Sequence, residues 1–388
     1  MAHHPALAGR PRFDIADVVR RHRDQLEADH NLTSAQRQVL SAIELCRTAA
    51  LGGHIEVCRS CGYEHHHYHS CRNRHCPKCQ NLAQERWIGA RSEKLLPVRH
   101  FHVVFTVPQQ LRSLSKYRPC ELFKALFHAA SATLLEFGVR HLDAQLGVTM
   151  VLHTWTRELH FHPHVHAIVT AGGLSLDGSS WISSSDNYLF NIEAMGKLIR
   201  GKMLHHLRVL QRKGVFDGFD DFDDPEGFDR LMSKLARINW LVYAKKPFRE
   251  VGHVLAYLGR YTHRVAISNS RLVHVNEQRV TFRTKNANKT TITPVEFLRR
   301  FVQHVLPNGF HKIRHYGLYA GSSARTGGRL EQARNLLPVL ERAASPVLAI
   351  GQLLEQLAKR LCPHCGATMQ FMPLPTASSR APPVYAAE

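Results

Sequence analysis

The chain has 388 residues, enough to bury a sizeable core and to form more than one domain. Lysine and arginine total 51 against 31 acidic residues, and the net charge of +20 indicates a polyanionic partner, the alternative being a generally basic protein. No run of about 18 apolar residues and no apolar N-terminal signal core occurs, so we expect neither a membrane span nor secretion. In the reducing cytoplasm, nine cysteines predict metal ligands or buried thiols rather than disulfides.

Residues 1–50 predict a helical N-terminal segment. Apolar residues recur there at helical spacing, and Thr33, three residues before Gln36, is typical of a helix N-cap. Residues 51–96 then form a short, polar block that is crowded with cysteine and histidine and ends in a predicted helix at 81–95.

Four cysteines of this block form two Cys-x2-Cys pairs separated by 14 residues, a spacing close to that of four-thiolate zinc ribbons. We predict one structural zinc ion bound by all four: Cys58, Cys61, Cys76 and Cys79. Cys71, His69 and His75 are close enough in sequence to replace one of these ligands or to build a second site. Buried free thiols fit poorly in such polar surroundings, and four good ligands leave zinc no open position for catalysis.

Three basic residues around the second pair, Arg72, Arg74 and Lys78, predict that this module contacts nucleic acid, unless they are ordinary surface charge. A third pair, Cys362 and Cys365 in the sequence LCPHCG, has no partner close in sequence. The pattern leaves open whether these two thiols, with or without His364, bind a metal.

Residues 97–265 predict the element order β-α-β-β-α-β followed by one more helix, which is the connectivity of a ferredoxin-like sheet. The predicted strands are 100–108, 148–156, 164–173 and 239–247, and the predicted helices are 121–137, 192–212 and 250–264. The predicted fold class is therefore α+β. An antiparallel sheet with flanking helices follows a small zinc-ribbon-like module and precedes a helical and β-rich C-terminal region.

The region after the sheet divides into two predicted parts. Residues 266–345 contain β-hairpin material up to residue 292 and a helix at 294–304. Residues 346–388 contain the end of a helix that begins near residue 330, the third cysteine pair and a tail, PLPTASSRAPPVYAAE, whose composition predicts disorder.

The sequence HFHPHVHAIV places a histidine at every second position: His160, His162, His164 and His166. Alternate side chains of a strand share one face, so this spacing brings imidazoles together. Pro163 interrupts regular pairing and favours His164 and His166 as the rigid pair, while the two earlier histidines are either further ligands or part of a turn. Two neutral imidazoles and a third ligand leave open positions on a divalent ion, as a catalytic site requires.

The sequence YLGRYTHR contains Tyr257 and Tyr261, which are four residues apart and therefore share a face of the predicted helix. Beside a metal and a nucleic acid, a tyrosine can attack phosphorus and store the bond covalently. The alternative is ordinary aromatic packing on the inner face of the helix.

Several motifs, in this order, resemble one family. They are CRNRHCPKCQ, HFHVVFTVP, HPHVHAIV, WLVYAKKPF, YLGRYTHRVAISN and GFHKIRHYGLYA. Over residues 35–340 they are similar to the HUH transposases of rolling-circle insertion sequences, the IS91 type, which carry an N-terminal zinc-binding domain. HUH denotes two histidines around a hydrophobic residue, and His164, Val165 and His166 match it.

The resemblance implies a bacterial, nucleoid-associated transposase that acts on single-stranded DNA at the ends of its own mobile element. It implies that Tyr257 and Tyr261 are the nucleophiles, that a 5′-phosphotyrosine forms with release of a 3′-OH, and that Mg²⁺ or Mn²⁺ is required. His164 and His166 then hold the catalytic ion.

The third ligand is the open point of this assignment. We take His102, whose strand should run beside the HUH strand, although a plain strand-end histidine explains it equally well. His162 and His263 are the other candidates. The basic residues that we expect to hold phosphate are Lys245, Lys246, Arg260 and Arg264. Trp155 and Tyr243 are candidate stacking platforms for bases, with surface charge or packing as the alternative for all of these residues.

Two other functions compete with this interpretation. A plasmid replication initiator or relaxase would use the same chemistry in a different biological program. A non-catalytic, zinc-dependent DNA-binding protein would not need the paired histidines and tyrosines that this chain retains. No phosphate-binding loop for ATP occurs, which agrees with a reaction that conserves bond energy in a phosphotyrosine.

Overall fold

A computed structural model describes residues 12–186, 189–222, 224, 226–248, 254, 259, 265–321, 328–337 and 361–374. Its helices are α1 (Ile15–Asp29), α2 (Ser34–Leu45), α3 (Asn81–Ser92), α4 (Arg112–Tyr117), α5 (Pro119–Leu142), α6 (Ile192–Arg212), α7 (Gly227–Arg237), α8 (Pro294–Val302) and α9 (Arg329–Asn335). Its strands are β1 (Gly53–Val57), β2 (Glu64–Tyr68), β3 (His100–Thr106), β4 (Ala144–Trp155), β5 (Phe161–Ser175), β6 (Trp181–Ser183), β7 (Val242–Phe248), β8 (Leu272–Val275), β9 (Val280–Arg283), β10 (Lys289–Ile292), β11 (Ile313–Gly317) and β12 (Gln370–Leu374).

The largest sheet has the strand order β11-β4-β5-β3-β7, with β6 paired to β5, and all of these pairs are antiparallel. Its four predicted strands lie in the order β4-β5-β3-β7, in which the first strand of the unit, β3, is central. This arrangement confirms the α+β, ferredoxin-like prediction. Strand β11 extends the sheet at its β4 edge and was not predicted as a member of it.

The two faces of this sheet have different chemistry because side chains alternate along each strand. One face packs against α5 and α6 and includes Phe101, Val103 and Phe105 of β3, which are at most 1% exposed. The β5 residues between the histidines, such as Val165, point into the same core. The histidines therefore lie on the face of the sheet that is opposite α5 and α6.

Helix α5 is the only described helix that is long and apolar enough to cross a membrane by length and composition. However, 67% of its most apolar window is buried inside the protein. Its apolar character is that of the central core helix of the ferredoxin-like unit, with Pro119 at its first turn and Asp143 in the left-handed conformation at its end.

The N-terminal helices pack against the C-terminal β-rich region. Val19 of α1 and Leu40 of α2 share an apolar cluster with Phe282 and Phe297. The predicted N-cap of α2 is a capping box, because Thr33 Oγ1 accepts the Gln36 N–H at 3.2 Å and Gln36 Oε1 accepts the Thr33 N–H at 2.8 Å.

Strand β12 was not predicted. It lies partly within the tail that was expected to be disordered and pairs with β1, giving a three-stranded antiparallel sheet in the order β12-β1-β2.

Two predicted helical stretches lie outside the described residues: residues 338–360 and most of the predicted tyrosine helix. Within the tyrosine helix, Val254 and Gly259 alone are described, and both are helical. The predicted domain boundaries stay predictions.

Candidate metal centres

Three histidines of the β4–β5 pair bring ring nitrogens within 4.8 Å of one another: His153, His164 and His166. His153 lies directly opposite His164 in the antiparallel ladder, and His166 lies two residues further along the same face. The Nε2 atoms of His164 and His166 are 3.1 Å apart. The three imidazoles therefore converge on one point above the sheet.

Neighbouring groups fix the orientation of these rings. The His164 Nδ1–H donates to the backbone carbonyl of His162 at 2.7 Å, which leaves Nε2 for a ligand. His102 Nε2 and His166 Nδ1 share a hydrogen bond of 2.8 Å. The indole of Trp155 stacks on His153 with ring centroids 4.5 Å apart. Such partners behind the coordinating atoms are typical of histidines that bind metals.

Burial favours the neutral form of three histidines on this face: His102, His164 and His166. Burial lowers the pKa of His164 to about 4, and burial together with the charge of Lys245 lowers the pKa of His102 to about 4. Burial first, and then the neighbouring histidines and Lys245, hold the pKa of His166 well below its ordinary value. Neutral imidazoles have a free lone pair, which metal binding requires.

The expected third ligand, His102, lies beside this cluster, and the identity of the third ligand stays a prediction. His102 was expected to complete the set, but it contacts the outer nitrogen of His166, whereas His153 lies in the group. The ring of His162 faces Arg112 at 3.1 Å, and His160 lies in the exposed turn before β5. The sequence did contain a signal for His153: pairing the two predicted strands as a hairpin places it opposite the HUH strand.

Strand β7, at the edge of the sheet, carries three of the expected DNA contacts. Lys245 lies opposite His102 in the ladder, and Tyr243, which is 57% exposed, lies opposite Val104. Lys246 is the next residue of the same strand. The predicted nucleophiles and the remaining expected basic contacts lie outside the described residues: Tyr257, Tyr261, Arg260 and Arg264, together with His263.

A second candidate centre consists of four cysteines whose Sγ atoms lie within 4.8 Å of one another: Cys46, Cys71, Cys76 and Cys79. The Sγ atoms of Cys71 and Cys79 are 3.7 Å apart. Four soft thiolates that leave no open position fit a structural zinc ion. Cys46 was missed because it falls within a helical pattern, at the end of α2. His75 is not in the group, since its Nε2 accepts the Leu306 N–H at 3.2 Å.

The four cysteines that were predicted to share one ion therefore fall into two groups. Cys58 and Cys61 lie with Cys362 and Cys365, again with all four Sγ atoms within 4.8 Å. The β1–β2 hairpin explains the separation. Cys58 and Cys61 lie at its turn, whereas Cys71 follows its second strand at the open end, and five residues of strand span roughly 15 Å.

The two arginines beside the second cysteine pair have different surroundings. Arg74 donates to the backbone carbonyls of Leu306, Pro307 and Phe310, so it connects the cysteine module to the segment before β11 rather than facing solvent. Burial lowers the pKa of the Arg74 guanidinium. Arg72 is exposed, and its expected contact with DNA stays a prediction.

Comparisons with known proteins place these features in a family. Residues 147–326 match a family model described as "Putative transposase", and residues 18–107 match one described as "Transposase zinc-binding domain". The second range contains the whole cluster of Cys46, Cys71, Cys76 and Cys79, and both observations support a structural zinc ion.

Two relatives cover most of the chain. "Putative transposase y4qJ" of Sinorhizobium fredii is 40% identical over an alignment of 370 positions, and the match covers 91% of this chain and 92% of that protein. "Transposase for insertion sequence element IS801" of Pseudomonas savastanoi pv. phaseolicola is 28% identical over an alignment of 355 positions, and the match covers 88% of this chain and 84% of that protein. No solved structure matches the chain. The chain belongs to the IS91-type transposases, which bind DNA and cut and rejoin it.

Proposed function

We propose that this transposase cuts and joins single DNA strands by metal-dependent phosphoryl transfer to a tyrosine, in a rolling-circle mode of transposition. The observation that carries the proposal is the convergence of His153, His164 and His166 on the histidine face of a ferredoxin-like sheet, in a chain that belongs to a transposase family.

The histidine cluster fits a divalent cation. Its three imidazole nitrogens would hold the ion by only some of its coordination positions and would leave others for phosphate oxygens and water. Adjacent ligands of an octahedral ion at about 2.1 Å are ~3.0 Å apart, and the two Nε2 atoms of His164 and His166 are separated by 3.1 Å. Imidazole ligands favour Mn²⁺ over Mg²⁺. When bound, the ion polarises the scissile phosphate and stabilises the departing 3′-oxygen.

Tyr257 and Tyr261 are the proposed nucleophiles. Val254, three and seven residues before them, belongs to the same apolar cluster as Val151 and Ile168, which lie on the histidine face of β4 and β5. Helical spacing predicts that all three residues share one face, which would be directed at that sheet surface. The phenol oxygen bonds to phosphorus, the bond to the 3′-oxygen breaks, and the proton lost by the phenol is balanced by one gained at the 3′-OH.

The edge strand β7 supplies a surface for the DNA. Tyr243 offers an exposed ring for stacking, and Lys245 offers a positive charge beside His102 on the same face. Aromatic rings alternating with basic side chains are typical of surfaces that bind single strands. The proposed substrates are the ends of the element that encodes the protein, and the IS801 relative is likewise named as the transposase of an insertion sequence element.

The test is a covalent-adduct assay with labelled single-stranded oligonucleotides that carry the element's own ends. Wild type with Mn²⁺ should give a labelled protein band that survives denaturation, and chelation should abolish it. Tyr257→Phe and Tyr261→Phe should each lower the yield, and the double variant should give none. His164→Ala should also abolish the adduct.

The matched control is Tyr243→Phe, which keeps the ring on the DNA surface and removes only a hydroxyl that the mechanism does not use. It should keep the wild-type yield of adduct. If no terminal sequence gives an Mn²⁺-dependent adduct while the protein still binds the oligonucleotides, the non-catalytic function is the correct one. If the adduct forms on plasmid origins and not on the element's ends, the protein is an initiator or relaxase in its activity.

A further inference from the structure

Two turns of this chain share one sequence, Cys-x2-Cys-Gly, and one backbone geometry. In the first, the Gly62 N–H donates to the Cys58 carbonyl at 2.9 Å, and the Cys58 N–H donates to the Tyr63 carbonyl at 2.8 Å. In the second, the Gly366 N–H donates to the Cys362 carbonyl at 2.9 Å, and the Cys362 N–H donates to the corresponding carbonyl, that of Ala367, at 2.8 Å.

The glycine of each turn has nearly the same left-handed conformation, with φ of 74° at Gly62 and 72° at Gly366. The pair Cys76 and Cys79 is followed by Gln80 and lacks this signature. The turns at residues 58–63 and 362–367 are therefore two copies of one knuckle, although some 300 residues separate them.

The two knuckles face each other. Cys58 Sγ lies 3.4 Å from Cys365 Sγ, and Cys61 Sγ lies 3.5 Å from Cys362 Sγ. These separations are far longer than a disulfide bond of about 2.05 Å. They are close to the edge of a tetrahedron of thiolates around zinc, which is ~3.8 Å for Zn–S bonds of about 2.3 Å.

The surroundings hold the knuckles together but supply little core. Strand β12 pairs with β1 from Gln370 to Leu374, and the rings of Tyr63 and His364 stack with centroids 4.5 Å apart. The buried apolar cluster here consists of Cys58, Cys362 and Met369, with Tyr63 and Ala367 packed against it. So small a cluster needs a further source of stability, and a bound metal ion supplies it.

We propose that Cys58, Cys61, Cys362 and Cys365 bind a second structural zinc ion that closes a zinc ribbon from both ends of the chain. Two of these ligands lie outside both matched family ranges, 18–107 and 147–326. The site makes the segment 361–374 part of the N-terminal module, so that this module is complete only when the C-terminal segment is in place.

The first test counts zinc in the full-length protein by inductively coupled plasma mass spectrometry. The double variant Cys362→Ser/Cys365→Ser should contain one zinc ion fewer per chain than wild type. Cys120→Ser, which changes a half-buried cysteine outside both clusters, should lose none. The difference is the relevant quantity because His54, Glu56 and His67 also bring three potential ligand atoms within 4.8 Å of one another.

An unchanged zinc content in the double variant would overturn the proposal. If the double variant loses both zinc ions because it does not fold, a second measurement that needs no substitution decides whether the second site exists. Cys61 and Cys365 are exposed, so as free thiols they would react quickly with iodoacetamide. In the zinc-loaded wild type both should stay unlabelled, and both should react at least tenfold faster after zinc is removed by a chelator. Equal labelling of Cys61 and Cys365 before and after chelation would refute the second site, provided that Cys76 is protected before chelation and reacts after it.

Discussion

Replacing His153 by alanine should weaken Mn²⁺ binding by more than 100-fold, whereas replacing His102 should weaken it by only 10- to 100-fold. The two residues differ in their position relative to the cluster. His153 contributes a ring nitrogen to the group within 4.8 Å, and His102 contacts His166 from behind, with 2.8 Å between His102 Nε2 and His166 Nδ1.

The expected magnitudes follow from this geometry. Removing a partner that orients a ligating histidine typically costs 10- to 100-fold in metal affinity, or about 1.4–2.7 kcal/mol. Among the described residues, His102 reaches the cluster through the ring of His166, so its loss should cost no more than the loss of that ligand. A residue that is itself a ligand should therefore exceed the upper end of this range. This reasoning places His153→Ala above 100-fold.

The assay is titration of free Mn²⁺ by electron paramagnetic resonance, because the hexaaqua ion gives a signal that is lost on binding. His162→Ala is the matched control: it removes an imidazole from the same strand face, but one whose ring faces Arg112 at 3.1 Å. It should change the affinity by less than about threefold. Melting temperatures of all variants identify any loss of fold. Equal losses for His153→Ala and His102→Ala, or an unchanged affinity in His153→Ala, would refute the assignment.

Three further predictions concern stability. Arg74→Ala should lower the free energy of unfolding by about 1–3 kcal/mol, because three backbone carbonyls lose a charged donor, and should leave DNA affinity in a filter-binding assay unchanged. Gly317→Ala should destabilise the protein by about 2 kcal/mol or more, because φ is 57° and a Cβ would lie 1.9 Å from the Leu146 carbonyl oxygen. Its control is Gly201→Ala in α6, where a Cβ meets nothing within 4 Å and should stabilise the protein by about 0.5–1 kcal/mol; urea denaturation of both variants measures the two signs. Burial lowers the pKa of His304 to about 3, so between that pH and about 6.5 the unfolded chain binds one more proton than the folded chain, and stability should fall as the pH drops through this window. His304→Gln should reduce the dependence of the unfolding free energy on pH by about 1.4 kcal/mol per pH unit in urea titrations at pH 4–7, and identical slopes for the variant and wild type would contradict the assignment.

The elements and their order were predictable because their signals are local. Alternation along β5 distinguishes Val165, in the core, from His164 and His166, on the other face, and the same alternation assigns β3. The capping box of Thr33 and Gln36 lies within four residues of sequence. The ferredoxin-like connectivity follows from the element order, because few topologies satisfy it with short, antiparallel neighbours.

The partners of the ligands were less predictable because they depend on contacts that are distant in sequence. Spacing alone paired Cys58 with Cys76, whereas the hairpin between them places these residues at opposite ends. A local signal existed that the spacing argument did not use: Cys58 and Cys362 each begin a Cys-x2-Cys-Gly turn, and Cys76 does not. His153 required the register of β4 against β5, which no local pattern of β4 encodes.

The core on one face of the sheet determines the geometry of the histidines on the other. Leu152 lies opposite Val165 in the register that places His153 opposite His164, and both apolar side chains are at most 1% exposed. A slip of one residue would turn one strand over and take Leu152 or Val165 out of the core, at a cost of roughly 1.5–3 kcal/mol for that side chain alone. The apolar residues therefore fix which side chains each strand directs to the histidine face, and the pairing of β4 with β5 brings together candidate ligands from two strands. The histidine face also carries apolar packing of its own, because Val151 and Ile168, beside the imidazoles, are buried in a cluster with Val254.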